Sequence, residues 1–162
     1  MEKPDTSNTT IIVMGRWHGA TRCKKRLSKS IGVERAAQIQ EKLTAHTLLV
    51  ASSIQKRGLA EVNWAISGLG PKACIRLQKA TGISKVLRQG QGTLGLRMKK
   101  EILRAHRKTV ASEKKRRELI LIGSDLPTLC ENDLLEASRA LKYKNMVIGP
   151  SKDGGYWLIG FS

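Results

Sequence analysis

The sequence predicts an α/β domain with three layers and a mainly parallel sheet. Short runs of aliphatic and β-branched residues alternate along the chain with helical patterns of about 10 to 20 residues. The length of 162 residues is that of one ordinary domain, so we expect residues 1–162 to form a single folded unit. No internal repeat or linker interrupts the alternation.

The first half of the chain contains two predicted strands and two predicted helices. TIIVM predicts the first strand, and GRWHGATRCKKRLSKSIG, which has no clean period, predicts a functional loop after it. EVNWAIS predicts the second strand, and PKACIRLQKA a short helix with proline in its first turn. Between them, apolar or β-branched residues spaced by three and four predict an amphipathic helix that ends near Gly58: Ala36, Ile39, Leu43, Thr47, Val50 and Ile54.

The second half continues the same pattern. SKVLRQ predicts a third strand, and a helical pattern follows the glycine-rich GQGTLG. ELILIG is the strongest strand signal, and the helix after it carries Glu131 and Asp133 in its first turn, where carboxylates suit the helix dipole. NMVIGP and YWLIGF predict two further strands around SKDGG.

The chain is strongly basic, with 30 Lys and Arg against 13 Asp and Glu and a net charge of +17, which indicates an anionic partner. Aromatic residues make up only 4% of the chain, so few side chains are available to stack on single-stranded bases. Nucleic acid is therefore a possible partner, but a less favoured one than a small anion.

Cysteine usage and hydropathy indicate the compartment. Cys23, Cys74 and Cys130 are far apart and show neither disulfide nor zinc-site spacing, which is typical of a reducing cytosol. No apolar run is long enough to span a membrane, and the polar start MEKPDTSNTT does not read as a signal peptide. We expect a cytoplasmic protein.

Asp125 follows the strongest predicted strand, in ELILIGSDLPTL. The carboxyl ends of strands in open α/β sheets are where ligands bind, so Asp125 is a candidate metal or phosphate-handling residue. The alternative is a helix cap. Asp153, in KDGGY, is a second candidate, although Asp-Gly is also a favoured turn pair. Two such carboxylates could share Mg²⁺ with a diphosphate.

The loop after the first strand, GRWHGATRCKKRL, carries five cationic side chains. Because it follows a strand at the same edge of the sheet as Asp125, we expect it to hold a polyphosphate. The alternative is a solvated surface loop.

Gly90, Gly92 and Gly95 satisfy the GxGxxG pattern between a predicted strand and a predicted helix. A dinucleotide site also needs an acidic residue about 20 residues further on, at the end of the next strand, whereas the nearest ones, Glu113 and Glu118, lie in a charged segment before that strand begins. The pattern therefore favours a turn that lets the backbone approach another ligand over an NAD site, with a merely tight turn as the alternative.

Four motifs in order resemble those of the DUF2064 family: IIVMGRWHGATRCKKRLSKSIG, RQGQGTLGLRM, LILIGSDLPTL and VIGPSKDGGYWLIGF. This family is a branch of the nucleotide-diphospho-sugar transferase (GT-A) superfamily and includes glycosyltransferases assigned to arsenosugar biosynthesis. The resemblance implies a three-layer α/β/α Rossmann-like GT-A fold. Arg16, Lys24, Arg26 and Leu27 match the first motif, and the departures from it are His18, Ala20, Thr21 and Lys25.

The resemblance also implies roles for individual residues. Asp125 would hold a metal that bridges a nucleotide diphosphate, and a cationic group would bind the phosphates: Arg16, Lys24 and Arg26. The turn that contains Gly90, Gly92 and Gly95 would contact the nucleotide or sugar. Asp153 would contact the acceptor or the metal, and Gly154, Gly155 and Tyr156 would lie on the acceptor side.

Family members usually continue beyond the last motif, so the resemblance implies a C-terminally truncated relative or a fragment. A missing closing helix would expose apolar surface near YWLIGF, and we therefore expect either self-association, for example into a homo-oligomer, or poor solubility.

These inferences predict an enzyme that binds a nucleoside diphosphate-sugar with Mg²⁺ or Mn²⁺ and transfers the sugar to a small-molecule acceptor. One alternative is a guanylyltransferase-like nucleotidyl transfer from a nucleoside triphosphate. Another is a non-catalytic nucleic-acid-binding domain on a decayed transferase fold.

Overall fold

The computed structural model of the chain describes residues 8–19, 24–107 and 117–162. The described residues form six strands and five helices in the following order: β1 (Thr9–Arg16), α1 (Lys25–Ile31), α2 (Val33–Lys56), β2 (Glu61–Ser67), α3 (Pro71–Thr81), β3 (Lys85–Arg88), α4 (Leu94–Arg107), β4 (Glu118–Gly123), α5 (Glu131–Leu141), β5 (Met146–Pro150) and β6 (Tyr156–Phe161). Ala20, Thr21 and Cys23 of the first motif lie outside the described residues.

All six strands form one sheet in the order β3-β2-β1-β4-β6-β5. The pairs β1–β2, β2–β3 and β1–β4 are parallel, whereas β6 runs antiparallel to both of its neighbours. The chain moves from β1 to β3 on one side of the sheet and then returns to place β4 on the other side of β1. The carboxyl ends of β1 and β4 therefore flank a topological switch point, where open α/β sheets bind ligands.

Helices cover both faces of the sheet, which confirms the predicted three-layer arrangement. The larger apolar core lies on one face, where Ile11, Val13 and Ile120 pack with residues of α2, α3 and α5. The smaller core lies on the opposite face, where Ile12 and Met14 pack with residues of α4. Successive residues of β1 are thus buried on opposite faces, as is typical of a central strand in a parallel sheet.

The loop prediction after the first strand is wrong in part, because Lys25–Ile31 forms the helix α1. Leu27 and Ile31 are four residues apart, lie on one side of this helix and are partly buried, and α1 packs on α2. The surrounding lysines and arginines concealed this short apolar repeat in the sequence.

Helix α2 forms as predicted, but the buried stripe differs from the predicted one. Ala36, Thr47 and Ile54 are buried as expected, whereas Ile39 is 36% exposed. The remaining buried positions of the helix are Gln40, Thr44 and Ala51. The difference arises because this stretch of α2 packs over polar groups at the strand ends, where Gln40 donates a hydrogen bond to Ser124.

Part of the sheet surface near β5 and β6 is apolar and accessible. Met146, Ile148 and Tyr156 are each about half exposed. The prediction of apolar surface near YWLIGF agrees with these exposures, and self-association remains a prediction. Within the described part of the chain, none of the helices combines the length and apolar character needed to cross a bilayer.

Candidate functional site: a cationic crevice at the switch point

A crevice of about 360 Å³ opens at the carboxyl ends of the central strands. Its lining comes from the carboxyl ends of β1, β2 and β4, from the residue after β3 and the residue before α1, from α2, and from the start of α4: Met14, Gly15, Arg16, Lys24, Gln40, Ser67, Gln89, Leu94, Arg97, Gly123, Ser124 and Asp125. The charged residues in this lining are three cations and one carboxylate. The crevice is therefore electrostatically suited to an anionic ligand.

Asp125 lies at the mouth of the crevice, two residues beyond the end of β4. Its side chain is 55% exposed, and its Oδ2 accepts a hydrogen bond from Lys24 Nζ at 2.9 Å. It does not cap the next helix, because the N-cap of α5 is Cys130, whose backbone N–H donates to Asp133 Oδ2 at 2.8 Å. The capping alternative thus does not apply to Asp125.

Contacts from α2 hold the segment that follows β4. Ser124 is buried, and its hydroxyl accepts a hydrogen bond from Gln40 Nε2 at 3.3 Å. Further along, His46 Nε2 lies 3.0 Å from the backbone carbonyl oxygen of Leu129. These two contacts fix both ends of the turn that carries Asp125.

The first motif brings Arg16 and Lys24 to the crevice, but not Arg26. Arg16 is the last residue of β1, and Lys24 immediately precedes α1; both line the crevice. Arg26 is an exposed residue in the first turn of α1 and is not part of the lining. Of the three cations predicted to bind phosphate, two therefore line the crevice in this structure.

Lys24 has an unusual backbone conformation. Its φ is 45° and its ψ is 53°, and it is the only non-glycine residue with positive φ within the described ranges. Bulky side chains seldom occupy this left-handed region, and such residues cluster at functional sites. From this position the Lys24 ammonium donates its hydrogen bond to Asp125.

Gln89 and Arg97 are functional candidates that the sequence reasoning missed. Gln89 Nε2 donates to the carbonyl oxygens of Gly15 at 2.8 Å and Ala65 at 2.9 Å, while its Oε1 accepts from an Nη of Arg97 at 3.0 Å. Arg97 Nε is buried and has no hydrogen-bond partner among the described residues. The guanidinium is thus held in the crevice with one donor unsatisfied. Both residues lie in RQGQGTLGLRM, in which the spacing of the glycines is the more conspicuous pattern.

The glycines of that motif lie outside the crevice lining. Gly92 has a φ of 118°, which favours glycine, and Gly95 is already within α4. Lys100 Nζ donates to the Gln91 carbonyl oxygen at 3.0 Å and ties the turn to α4. In this structure the glycines shape a turn that places Gln89 and Arg97 on either side of it.

The turn beside Gly90 also contacts a buried carboxylate, Glu101 of α4, which is 3% exposed. Burial raises the pKa of Glu101, although the positive charge of Arg104 and a hydrogen bond from the Gly90 backbone act in the opposite direction. The hydrogen bond from Gly90 thus ties the turn to α4, although burial disfavours the charged form of the Glu101 carboxylate.

The second predicted carboxylate lies in the turn between β5 and β6 and is not part of the crevice lining. Hydrogen bonds from the Ser151 hydroxyl and the Gly155 backbone N–H lower the pKa of Asp153. Gly154 has a φ of 84°, and the hydroxyl of the half-exposed Tyr156 lies 3.9 Å from Met98 Sδ. Asp153 and its neighbours thus form a self-contained turn in this structure, and their proposed contact with an acceptor remains a prediction.

The residues of the crevice suit a divalent metal only in combination with a ligand. The described residues contain no group of three or more His, Cys, Asp or Glu that could hold a metal ion, and Asp125 is the one carboxylate in the crevice lining. Mg²⁺ is commonly bound by one or two carboxylates together with substrate phosphates. Asp125 meets the first requirement, and a bound diphosphate would have to supply the second.

Comparison with known proteins identifies the family and the fold. Residues 49–162 match the family described as "Uncharacterized protein conserved in bacteria (DUF2064)". A crystal structure of a candidate nucleotide-diphospho-sugar transferase from Desulfovibrio desulfuricans G20 superposes with a TM-score of 0.81 at 23% identity, over 96% of this chain and 63% of that one. This chain therefore spans less than two thirds of that relative.

A second solved structure is 4-diphosphocytidyl-2C-methyl-D-erythritol synthase from Anaerococcus prevotii DSM 20548. It superposes with a TM-score of 0.52 at 13% identity, over 98% of this chain and 72% of that one. No curated protein sequence matched the chain. The predicted GT-A-like fold is confirmed by the superposition on the Desulfovibrio protein, and the family match covers more than half of the chain. The protein is thus a member of the DUF2064 family.

Proposed function

We propose that this protein binds a nucleoside diphosphate-sugar in the cationic crevice and transfers the sugar to a small-molecule acceptor. The observation that carries the proposal is the convergence of Arg16, Lys24 and Arg97 with Asp125 at the switch point of the sheet. The fold shared with a candidate nucleotide-diphospho-sugar transferase supports the same chemistry.

The cationic side chains would act on the diphosphate. Arg16 and Arg97 offer planar guanidinium groups that pair with phosphate oxygens, and Lys24 offers a mobile ammonium. During sugar transfer, negative charge develops on the leaving nucleoside diphosphate, and cations fixed beforehand lower the barrier by stabilising that charge. Arg97 Nε, which has no hydrogen-bond partner among the described residues, would be a further donor for a bound ligand.

Asp125 would hold Mg²⁺ or Mn²⁺ together with oxygens of the diphosphate. A bound divalent cation supplies Lewis-acid stabilisation of the leaving diphosphate. Asp125 itself contributes a carboxylate at the open mouth of the crevice, where it remains accessible to solvent. The neighbouring Ser124 and Gln40 keep the segment that carries it in place.

Nucleotidyl transfer is the alternative function. The likeness in fold to a diphosphocytidyl-methylerythritol synthase favours it, because the same crevice could take the triphosphate of a nucleotide. The two reactions differ in their products: nucleotidyl transfer releases pyrophosphate, whereas sugar transfer releases a nucleoside diphosphate. Incubation with each donor class and analysis of the released phosphate species therefore separates them.

The proposal is tested by Asp125→Asn, which preserves the size of the side chain and removes its charge. We expect the variant to fold within about 1 kcal/mol of wild type, because the ion pair that it loses is exposed. In calorimetric titrations with Mn²⁺ present, its affinity for the best-binding nucleoside diphosphate should fall about tenfold or more.

Glu136→Gln is the matched control, because it removes the same charge from an exposed position on α5. It should bind the nucleotide as wild type does. Unchanged binding in Asp125→Asn would refute the assigned role of this carboxylate. If nucleic acid bound with steep salt dependence while no nucleotide bound at all, a nucleic-acid-binding function would replace the proposal.

A further inference from the structure

The single carboxylate of the crevice lining is occupied by a cation from the same chain. Lys24 Nζ lies 2.9 Å from Asp125 Oδ2, within hydrogen-bonding distance. The Lys24 side chain is 21% exposed, whereas that of Asp125 is 55% exposed, so Lys24 is the more buried partner of the pair. A metal ion at Asp125 would have to compete with this ammonium group.

The geometry of Lys24 makes this contact a specific feature of the fold. Its left-handed backbone conformation is one that non-glycine residues rarely adopt, and its ammonium group, which has no acceptor, cannot cap the N–H groups at the start of α1. The side chain is thus not engaged in holding its own helix. It reaches instead a carboxylate that lies 101 residues further along the chain.

The charge balance of the crevice depends on whether an anion is bound. In the free protein, three lining cations face one carboxylate, which opposes the approach of a divalent cation. A bound diphosphate would neutralise this excess of positive charge and would also offer Lys24 a stronger partner than Asp125. Binding of the anion would therefore release the carboxylate.

We propose that Lys24 is a cation gate, which pairs with Asp125 in the free protein and moves to the phosphates when a diphosphate binds. Asp125 then binds a divalent metal more tightly when the phosphate ligand is present than when it is absent. This inference rests on the proposed function and adds an order of binding to it. Its signature is that loss of the Lys24 charge has opposite effects on the two ligands.

Lys24→Met tests the gate, because it keeps the aliphatic stem and removes the ammonium. With Mn²⁺ alone, titrated by electron paramagnetic resonance, the variant should bind the metal about fivefold more tightly than wild type, as expected for release of one exposed ion pair. With inorganic pyrophosphate alone, titrated by calorimetry in metal-free buffer, the variant should bind about tenfold more weakly. A folding defect would weaken both ligands together.

Lys29→Met is the matched control, because it removes the same charge from an exposed position on α1, the helix that Lys24 precedes. It should leave both affinities unchanged. Adding Asp125→Asn to Lys24→Met should abolish the gain in Mn²⁺ affinity. Lys24→Asn is the second variant, because asparagine tolerates the left-handed conformation better than most residues.

The outcomes separate the gate from the proposed function. If pyrophosphate and nucleoside diphosphates bind wild type but Mn²⁺ affinity is equal in wild type and both Lys24 variants, the gate is refuted and the proposed function stands. If the Lys24 variants gain Mn²⁺ affinity while wild type binds no nucleoside diphosphate, then Lys24 does compete with the metal for Asp125, but the proposed function fails.

Discussion

Gln89 is the side chain whose removal should disturb the crevice most directly. It donates to carbonyl oxygens of two adjacent strands and accepts from Arg97 on α4. Only a primary amide can donate at one end to two acceptors while it accepts at the other. Gln89→Met preserves length and approximate volume but removes all three hydrogen bonds.

The expected loss of stability follows from these contacts. Each hydrogen bond is worth about 1 kcal/mol net, so their loss should cost about 3 kcal/mol. For a domain of 162 residues, this corresponds to a melting temperature lower by about 6 to 12 °C. The backbone bond from Gln89 N–H to the Ile66 carbonyl, at 2.9 Å, is unaffected and should keep β3 in place.

Calorimetric unfolding measures this effect, and Gln38→Met is the matched control on the exposed side of α2. The control should change the free energy of unfolding by less than about 0.5 kcal/mol. Because Gln89 is also the hydrogen-bond partner of Arg97, pyrophosphate affinity should fall in Gln89→Met and not in the control. Equal melting temperatures and equal affinities in the two variants would refute the role assigned to Gln89.

Two further predictions concern the supporting structure. Burial raises the pKa of Glu101, so the folded state holds its proton to higher pH than the unfolded state, and wild type loses stability as pH rises from about 4.5 through the folded pKa. The melting temperature of Glu101→Gln relative to wild type should therefore increase between pH 4 and 7; a decrease would contradict this. Gly160→Ala should lose about 1 to 3 kcal/mol in denaturant unfolding, because its Cβ would lie 2.9 Å from Leu141 Cδ1; unchanged stability would show that Leu141 moves aside.

The order and type of most elements could be predicted from the sequence, because they depend on local patterns. EVNWAIS and ELILIG coincide with β2 and β4, and the apolar alternation or run in each marks a buried strand without knowledge of its neighbours. The position of Asp125 at the carboxyl edge of the sheet followed from the same logic. The short helix α1 was missed, because a run of basic residues obscured an apolar repeat of a single turn.

The direction of β6 and the composition of the crevice depended on the tertiary structure. β6 follows β5 through a short turn and so runs antiparallel to β5; because it lies between β5 and β4, it is also antiparallel to β4, although its residues are as apolar as those of a parallel strand. Arg97 reaches the crevice and Arg26 does not, because the former projects from α4 toward Gln89 and the latter from α1 toward solvent.

Asp125, Arg16 and Lys24, which the family motifs single out, line one crevice, and the roles assigned to them remain predictions. The pairing of Lys24 with Asp125 joins residues 101 positions apart and requires a left-handed backbone at a lysine. The sequence by itself determined which chemical groups the chain carries and which strand ends bear them. Only the tertiary structure decided which of these groups face each other, because side-chain contacts between distant segments depend on packing and backbone direction rather than on local periodicity.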